Sequence, residues 1–249
     1  EPPAQPKPRK DAPSKEEERP YDFEILPFDD ALLNYWAHYG IDEDTLRLFR
    51  VRSLKRYESV SAEGKKFEIF SSPTDPIFAY LGNGYVKIYR PHSTKVRFLY
   101  GGRMPATYCF GMEQIPSKGD ILFITGGEKD VLSLHAHGFN AICFNSETAQ
   151  IPESIIESLQ LRFRHIILLY DADDTGVREA RRQVEHLEKY KVLNLSLPLS
   201  GTKSEKDISD FFALGNGAND LKDLLAKMFS DMYSQTMMML RSCAIVYDH

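Results

Sequence analysis

The chain has 249 residues, 42% of them hydrophobic and 12% aromatic, which is enough apolar surface for one large domain or two modest ones. A net charge of −5 excludes a uniformly basic nucleic-acid-binding surface, so phosphate contacts would have to come from segregated basic stretches. No apolar run approaches the roughly 20 residues that span a bilayer and no signal-peptide pattern opens the chain, so no membrane partner is expected and a cytoplasmic setting fits.

Cys109, Cys143 and Cys243 are far apart and form no CxxC pair, which indicates neither a zinc site nor a disulfide framework. The chain starts at Glu1 rather than methionine and reads as a fragment of a longer polypeptide.

Residues 1–20 are rich in Pro, Lys and Glu and bury too little to offset ordering entropy, so they read as a disordered linker. Residues 21–118 read as a smaller α+β subdomain of basic character. Leu32, Leu33, Trp36 and Tyr39 recur at helical spacing over 29–39. A second helix is expected over 42–49, with Asp44 as a possible cap. Strands are expected at 66–70, 77–81, 85–89 and 96–100, and Gly82-Asn83-Gly84 is a hairpin signal between two of them.

From residue 119 to 216 the pattern changes to apolar strands alternating with helices. Strands are expected at 121–125, 141–144, 166–170 and 192–197, with helices at 128–137, 152–161 and 176–190. That alternation is the signature of βαβ units, an α/β parallel sheet flanked by helices. Residues 217–249 read as a C-terminal helical extension or linker, with Leu221, Leu224, Leu225 and Met228 on one face.

Ligands of open parallel sheets collect at the carboxyl ends of the strands. Three acidic clusters fall there: Glu128 and Asp130; Asp171, Asp173 and Asp174; and Asp207 and Asp210. Asp171 and Asp173 are two apart in an extended segment and point to the same side. Carboxylates so close repel, and a hard divalent cation with oxygen ligands relieves the repulsion. Helix capping is the simpler role expected for Asp174. The run Asp171-Ala172-Asp173-Asp174-Thr175 also fits the DxDxT of haloacid-dehalogenase-like phosphatases, but that pattern belongs on the first strand of the sheet and here two β-units precede it.

Taken in order, Ile121-Leu122-Phe123-Ile124-Thr125-Gly126-Gly127-Glu128-Lys129-Asp130, Asp171-Ala172-Asp173-Asp174-Thr175-Gly176 and Lys206-Asp207-Ile208-Ser209-Asp210 resemble the Toprim motifs of primases, topoisomerases and related nucleases. Gly84-Tyr85-Val86-Lys87-Ile88-Tyr89-Arg90 and Phe110-Gly111-Met112-Glu113 resemble the polymerase region of phage primase-helicases and Twinkle-type mitochondrial helicases. The resemblance implies a DNA primase core making short RNA primers on a single-stranded DNA template from ribonucleoside triphosphates. It implies Mg²⁺ or Mn²⁺ as cofactor and a helicase domain in the full-length protein. On this reading Glu128, Asp171 and Asp173 are catalytic, Asp171, Asp173 and Asp207 hold metal, and Asp130, Lys206 and Asp210 are further candidates.

One departure bears on catalysis. The resembling family places a glutamate directly after the first strand, where this chain has Gly126. Either Glu128 takes over, although two helical positions turn a side chain by about 200°, or the module is catalytically impaired and serves as a single-stranded DNA-binding arm of a replicative helicase. A Toprim nuclease is a third possibility.

Residues 85–112 carry five basic side chains (Lys87, Arg90, Lys95, Arg97 and Arg103) and no acidic one, interleaved with six aromatics. Cations neutralise phosphates and rings can stack bases, although each ring alone is as readily core. Lys87, Arg90 and Arg97 are the candidates for nucleotide and template binding. A second basic cluster, Arg47, Arg50, Arg52, Lys55 and Arg56, could track a nucleic-acid backbone or balance neighbouring acids.

Overall fold

The structure is a computed structural model that describes residues 18–61 and 63–245. The linker expected over residues 1–20 lies outside the described residues as far as 17, while Arg19 already forms a backbone bridge with Gly102. The chain divides into two compact units, Glu1–Trp36 with Asp42–Tyr108, and Ala37–Ile41 with Cys109–His249.

The first unit contains β1 (Tyr21–Leu26), α1 (Asp30–Ala37), α2 (Glu43–Leu48), β2 (Val51–Val60), β3 (Lys66–Phe70), β4 (Ile77–Leu81), β5 (Tyr85–Tyr89) and β6 (Phe98–Gly102). The strands form one antiparallel sheet in the order β1-β2-β4-β5-β6, with β3 also paired to β2. Gly84 turns the β4–β5 hairpin at φ 77°, a conformation that favours glycine. Asp42, not Asp44, caps α2: its Oδ1 accepts the Thr45 N–H at 2.7 Å, while Asp44 sits inside the helix and pairs with Arg47 at 2.9 Å. The cap has to lie one residue before the first helical turn, and Asp44 is already in that turn.

Strand alternation divides the sheet's side chains between two clusters. Leu54, Tyr57, Ile77, Ala79, Val86 and Ile88 form one. Phe78 and Tyr89 belong to the other, where the Trp36 ring packs 4.8 Å edge-on from Phe78 and 5.1 Å from Tyr35.

The second unit contains β7 (Cys109–Phe110), β8 (Gly119–Thr125), α3 (Glu128–Ala136), β9 (Ala141–Phe144), α4 (Glu153–Gln160), β10 (Phe163–Leu169), α5 (Asp174–His186), β11 (Leu193–Asn194), α6 (Ile208–Ala213) and α7 (Ala218–Ile245). Its strand order is β11-β10-β8-β9-β7, parallel except for the antiparallel edge strand β7. The inner strands are apolar along their length because both faces are covered. Leu122, Ile124, Ile142, Phe144, Ile166 and Leu168 pack with Ile156 and Leu159 of α4 and Ala180 of α5. Phe123, Ile167 and Leu169 alternate to the opposite side and are also buried. α3 packs on α6 and β9.

The chain leaves β8 for β9 on one side, then returns across β8 to β10 on the other. That reversal is a topological switch point, where an open parallel sheet places a ligand crevice at its carboxyl edge. Thr125 of β8 lies level with Leu169 of β10 and Cys143 of β9, so the three strands discharge their next residues side by side.

Trp36 is fully buried. Trp36→Ala should therefore destabilise the first unit by about 3–5 kcal/mol, readable as a lower urea midpoint in circular dichroism; an unchanged midpoint would show that this aromatic cluster is not what holds the unit.

Candidate metal centre

Each acidic group arrives at the sheet edge by a different local device. After β8, Gly126 and Gly127 lead into α3, where Glu128 and Asp130 occupy the first turn and are both buried. Negative charge there is favoured by the unpaired N–H groups of a helix start. Asp130 Oδ1 accepts the Ser209 hydroxyl at 2.6 Å.

After β10 the chain runs Asp171-Ala172-Asp173 into α5. Asp173 caps that helix, with Oδ1 accepting the N–H groups of Thr175 at 3.0 Å and Gly176 at 2.9 Å. A Cβ on Gly176 would lie 2.1 Å from the Asp171 carbonyl oxygen, so the turn closes only around a glycine. Asp207 and Asp210 cap α6 reciprocally, each carboxylate accepting the other's backbone N–H. An open cleft of about 430 Å³ adjoins them, lined by Ala172, Asp173, Asp174, Thr175, Ser200 and Gly201.

These devices bring one carboxylate oxygen each of Asp130, Asp171 and Asp207 within 4.8 Å of one another. Two lysines lie among them. Lys129 Nζ stands 3.1 Å from both oxygens of Asp207, 3.9 Å from Asp210 and 4.0 Å from Asp130, and 4.1 Å over the Tyr39 ring. Lys206 pairs with Asp171 and lies 3.4 Å from Asp173, and its backbone N–H is held by Asp210 at 3.1 Å.

The electrostatics follow. Burial pushes Asp130 well above the usual carboxylate range, and the charges of Asp207 and Asp171 push the same way against Lys129 and the Ser209 hydrogen bond. Burial alone would lower the Lys206 ammonium, but the hydrogen bond and charge of Asp171, with Asp173 and Asp207, outweigh it and raise it. Burial also opposes ionisation of Asp173, yet the Gly176 N–H, Lys206 and the Thr175 N–H hold its carboxyl below its ordinary value.

Of the residues expected from the sequence, Asp171 and Asp207 converge, and Asp130 completes the set. Asp173 stays beside them through Lys206 but spends one oxygen on the helix cap. Glu128 is buried in α3, outside the converging oxygens. Sequence reasoning missed Glu147, which follows β9: its Oε1 accepts the Asp171 N–H at 3.1 Å, and burial with the Asp171 charge raises its carboxyl to about 8. The signal was available, because it is an acid just beyond the carboxyl end of a parallel strand, like the other three.

In the first unit the basic candidates are largely engaged. Lys87 is 2% exposed, its ammonium 4.8 Å from the Phe98 ring, 5.1 Å from Tyr108 and 5.8 Å from Tyr100. The sequence places Lys87 among the nucleotide and template candidates; in the structure its face of β5 is covered by these rings. Arg90 pairs with Asp75. Arg97 is exposed, lies 5.8 Å from the Tyr89 ring and donates to its hydroxyl at 3.4 Å. In the second basic cluster Arg56 pairs with Asp22, Glu58 and Glu68, Lys55 with Glu24, and Arg47 with Glu43 and Asp44.

A parallel sheet with this carboxylate edge is the Toprim arrangement, and residues 123–212 match the family model described as Toprim-like. Among solved structures, a DNA primase domain from Pseudomonas aeruginosa is 17% identical with a TM-score of 0.60, over 84% of this chain and 76% of that one. The zinc-binding and RNA polymerase domains of the Aquifex aeolicus primase give 16% and 0.57, over 80% of this chain and 56% of that chain's length. The DnaG primase catalytic domain bound to single-stranded DNA gives 14% and 0.56, over 83% and 76%. No curated protein sequence gives a significant match. Residues 123–212 thus carry a Toprim-like domain, and the chain shares the fold of DNA primase domains. Since these likenesses cover 80–84% of it, the shared fold of DNA primase domains extends beyond the matched stretch.

Because Asp130 is held above its unfolded pKa of about 3.9, its ionised form costs stability above the folded pKa, and that cost vanishes as pH falls to the unfolded value. Asp130→Asn, which can still accept from Ser209, should stabilise the protein by about 0.5–2 kcal/mol at pH 8 while weakening Mn²⁺ binding. The gain should shrink toward pH 4. Urea melts at several pH values test this, and a destabilised variant at pH 8 would contradict it.

Proposed function

We propose that the chain is the RNA-polymerase core of a DNA primase, synthesising short RNA primers on single-stranded DNA with a divalent cation. The observation that carries the reading is the convergence of Asp130, Asp171 and Asp207 at the switch point of a Toprim-like sheet. The donor set fits Mg²⁺ or Mn²⁺: all donors are hard carboxylate oxygens, they come from the first turn of α3, the exit of β10 and the cap of α6, and their repulsion favours added positive charge. Asp130, Asp171 and Asp207 would hold the ion, with Asp173 at the rim. Bound there, a divalent ion supplies Lewis-acid neutralisation of triphosphate oxygens and lowers the pKa of a 3′-hydroxyl.

The chain's own residues do the rest. Lys129 and Lys206 offset part of the repulsion among the carboxylates, and Lys206, paired with Asp171 but 29% exposed, would also meet a phosphate oxygen. Asp173 and Gly176 fix the turn that presents Asp171, while the Asp207–Asp210 box fixes the start of α6. In the first unit the exposed Lys95, Arg97 and Arg103 would meet template or nucleotide phosphates. The buried Lys87 instead organises the Phe98, Tyr100 and Tyr108 rings from beneath. Base pairing would read the template, so the protein needs little sequence readout, and a helicase domain in the full-length protein fits the reading.

The test is extension of a short RNA primer annealed to single-stranded DNA, with labelled ribonucleotides and Mg²⁺ or Mn²⁺. Wild type should extend. Asp171→Ala and Asp207→Ala should fall below detection, since partners one shell further from a metal already contribute about 10–100-fold. DNA binding without extension by wild type would favour the single-stranded DNA-binding arm, and cleavage of the template would favour a nuclease.

A further inference from the structure

Three parallel strands end abreast at the acidic edge in the order β9-β8-β10, and the middle exit carries no side chain. Gly126 follows β8 directly. A Cβ built on it would lie 2.4 Å from Oε1 of Glu147, 2.8 Å from its Cγ and 2.9 Å from its Cδ. Real side chains do not approach so closely. The Glu147 side chain therefore runs across the end of β8, through the space that any residue other than glycine would fill, and reaches the far neighbour β10. There Oε1 accepts the backbone N–H of Asp171 at 3.1 Å.

Two consequences follow from that crossing. The backbone at Asp171 is anchored at the point where its carboxylate joins Asp130 and Asp207. A further carboxyl group, only partly buried, stands next to Asp171 on the β9 side. Its position is costly for a group with a merely structural task, because a neutral amide would accept the same N–H without facing the charge of Asp171.

We propose that Glu147 is a further carboxylate of the metal centre, delivered from β9 across Gly126, whose negative charge strengthens cation binding, and that the two residues form a matched pair. The inference rests on the primase reading and deepens it. The carboxylate that the Toprim resemblance expects on the β8 exit arrives instead from the adjacent strand, and glycine at 126 is the condition for its arrival. Glu128, buried in the first turn of α3, lies outside the converging oxygens.

The experiment measures Mn²⁺ affinity of the full chain by electron paramagnetic resonance titration, beside thermal melting and primer extension. Glu147→Gln keeps the shape and the acceptor for the Asp171 N–H, so the melting temperature should hold while Mn²⁺ affinity drops about 10–100-fold. Gly126→Glu alone should lose both affinity and thermal stability, because the new side chain collides with Glu147. Gly126→Glu combined with Glu147→Ala should bind Mn²⁺ and extend primers better than either Gly126→Glu or Glu147→Ala alone, a coupling that a double-mutant cycle isolates.

Wild-type Mn²⁺ affinity in Glu147→Gln, or simple additivity in the exchange variant, would overturn the proposal. Failure of wild type itself to bind Mn²⁺ would overturn the metal-centre reading beneath it, and the two results are separable because the first is scored only against a binding wild type.

Discussion

Mutual repulsion among carboxylates at one sheet edge is the constraint around which the second unit is organised. Oxygens of three aspartates within 4.8 Å, if all charged, repel by about 3 kcal/mol per pair at an effective dielectric of roughly 20. Summed over three pairs, that rivals the whole net stability of an ordinary domain, about 5–15 kcal/mol. Such a cluster persists only if the fold over-determines it. Here it does so by strand register, by the glycine turn at 176, by the capping box of α6 and by two lysines set among the acids. The Ser209 hydroxyl and the start of α3 add compensation at the most buried member, Asp130.

The first unit handles charge in the opposite way. Its sequence is locally basic, but the sheet folds much of that charge inward or pairs it across strands. Asp22 and Glu24 of β1 face Arg56 and Lys55 of the neighbouring strand β2, and Arg90 meets Asp75. Lys87 keeps its ammonium over aromatic faces rather than in water, an arrangement that gains from desolvated cation–π contact. Lys95, Arg97 and Arg103 keep their charge exposed. Local sequence charge thus overstates the charge a phosphate would meet.

Much of this architecture was legible before any coordinates. Apolar runs alternating with helices gave the parallel sheet, the strands 66–70, 77–81, 85–89 and 141–144 fall where alternation and turns put them, and three acidic clusters marked the edge where Asp130, Asp171 and Asp207 converge. The misses have physical causes. In β2 the buried set runs Val51, Ser53, Leu54, Tyr57 and Ser59, which changes phase and includes serines, so no apolar alternation advertised it. β1 alternates Tyr21, Phe23 and Ile25 with acids, but its meaning depends on a partner strand far along the chain. Which carboxylates converge depended on helix phase: Asp130 on the inner side of α3 joins the set, whereas Asp173 is drawn into a cap. Glu147 carried the local signal of an acid soon after a parallel strand, but its route across another strand's exit has no sequence period.

The contrast among the three helix starts carries the argument one step further. α5 and α6 begin with a side-chain cap, from Asp173 and Asp207, whereas α3 begins at Gly127 with no side-chain cap and with buried acids in its first turn. A chain optimised for stability alone would cap α3 with a serine or aspartate and put a neutral residue at Asp130. Instead two consecutive glycines clear the β8 exit, the acids sit buried in the first turn of α3, and the edge is left open to the Glu147 side chain that follows β9. Each departure costs local stability, all of them fall at the switch point, and together they open space and concentrate negative charge there. Locally unfavourable choices that coincide at one place are the pattern expected of a functional site rather than of a solvated acidic patch.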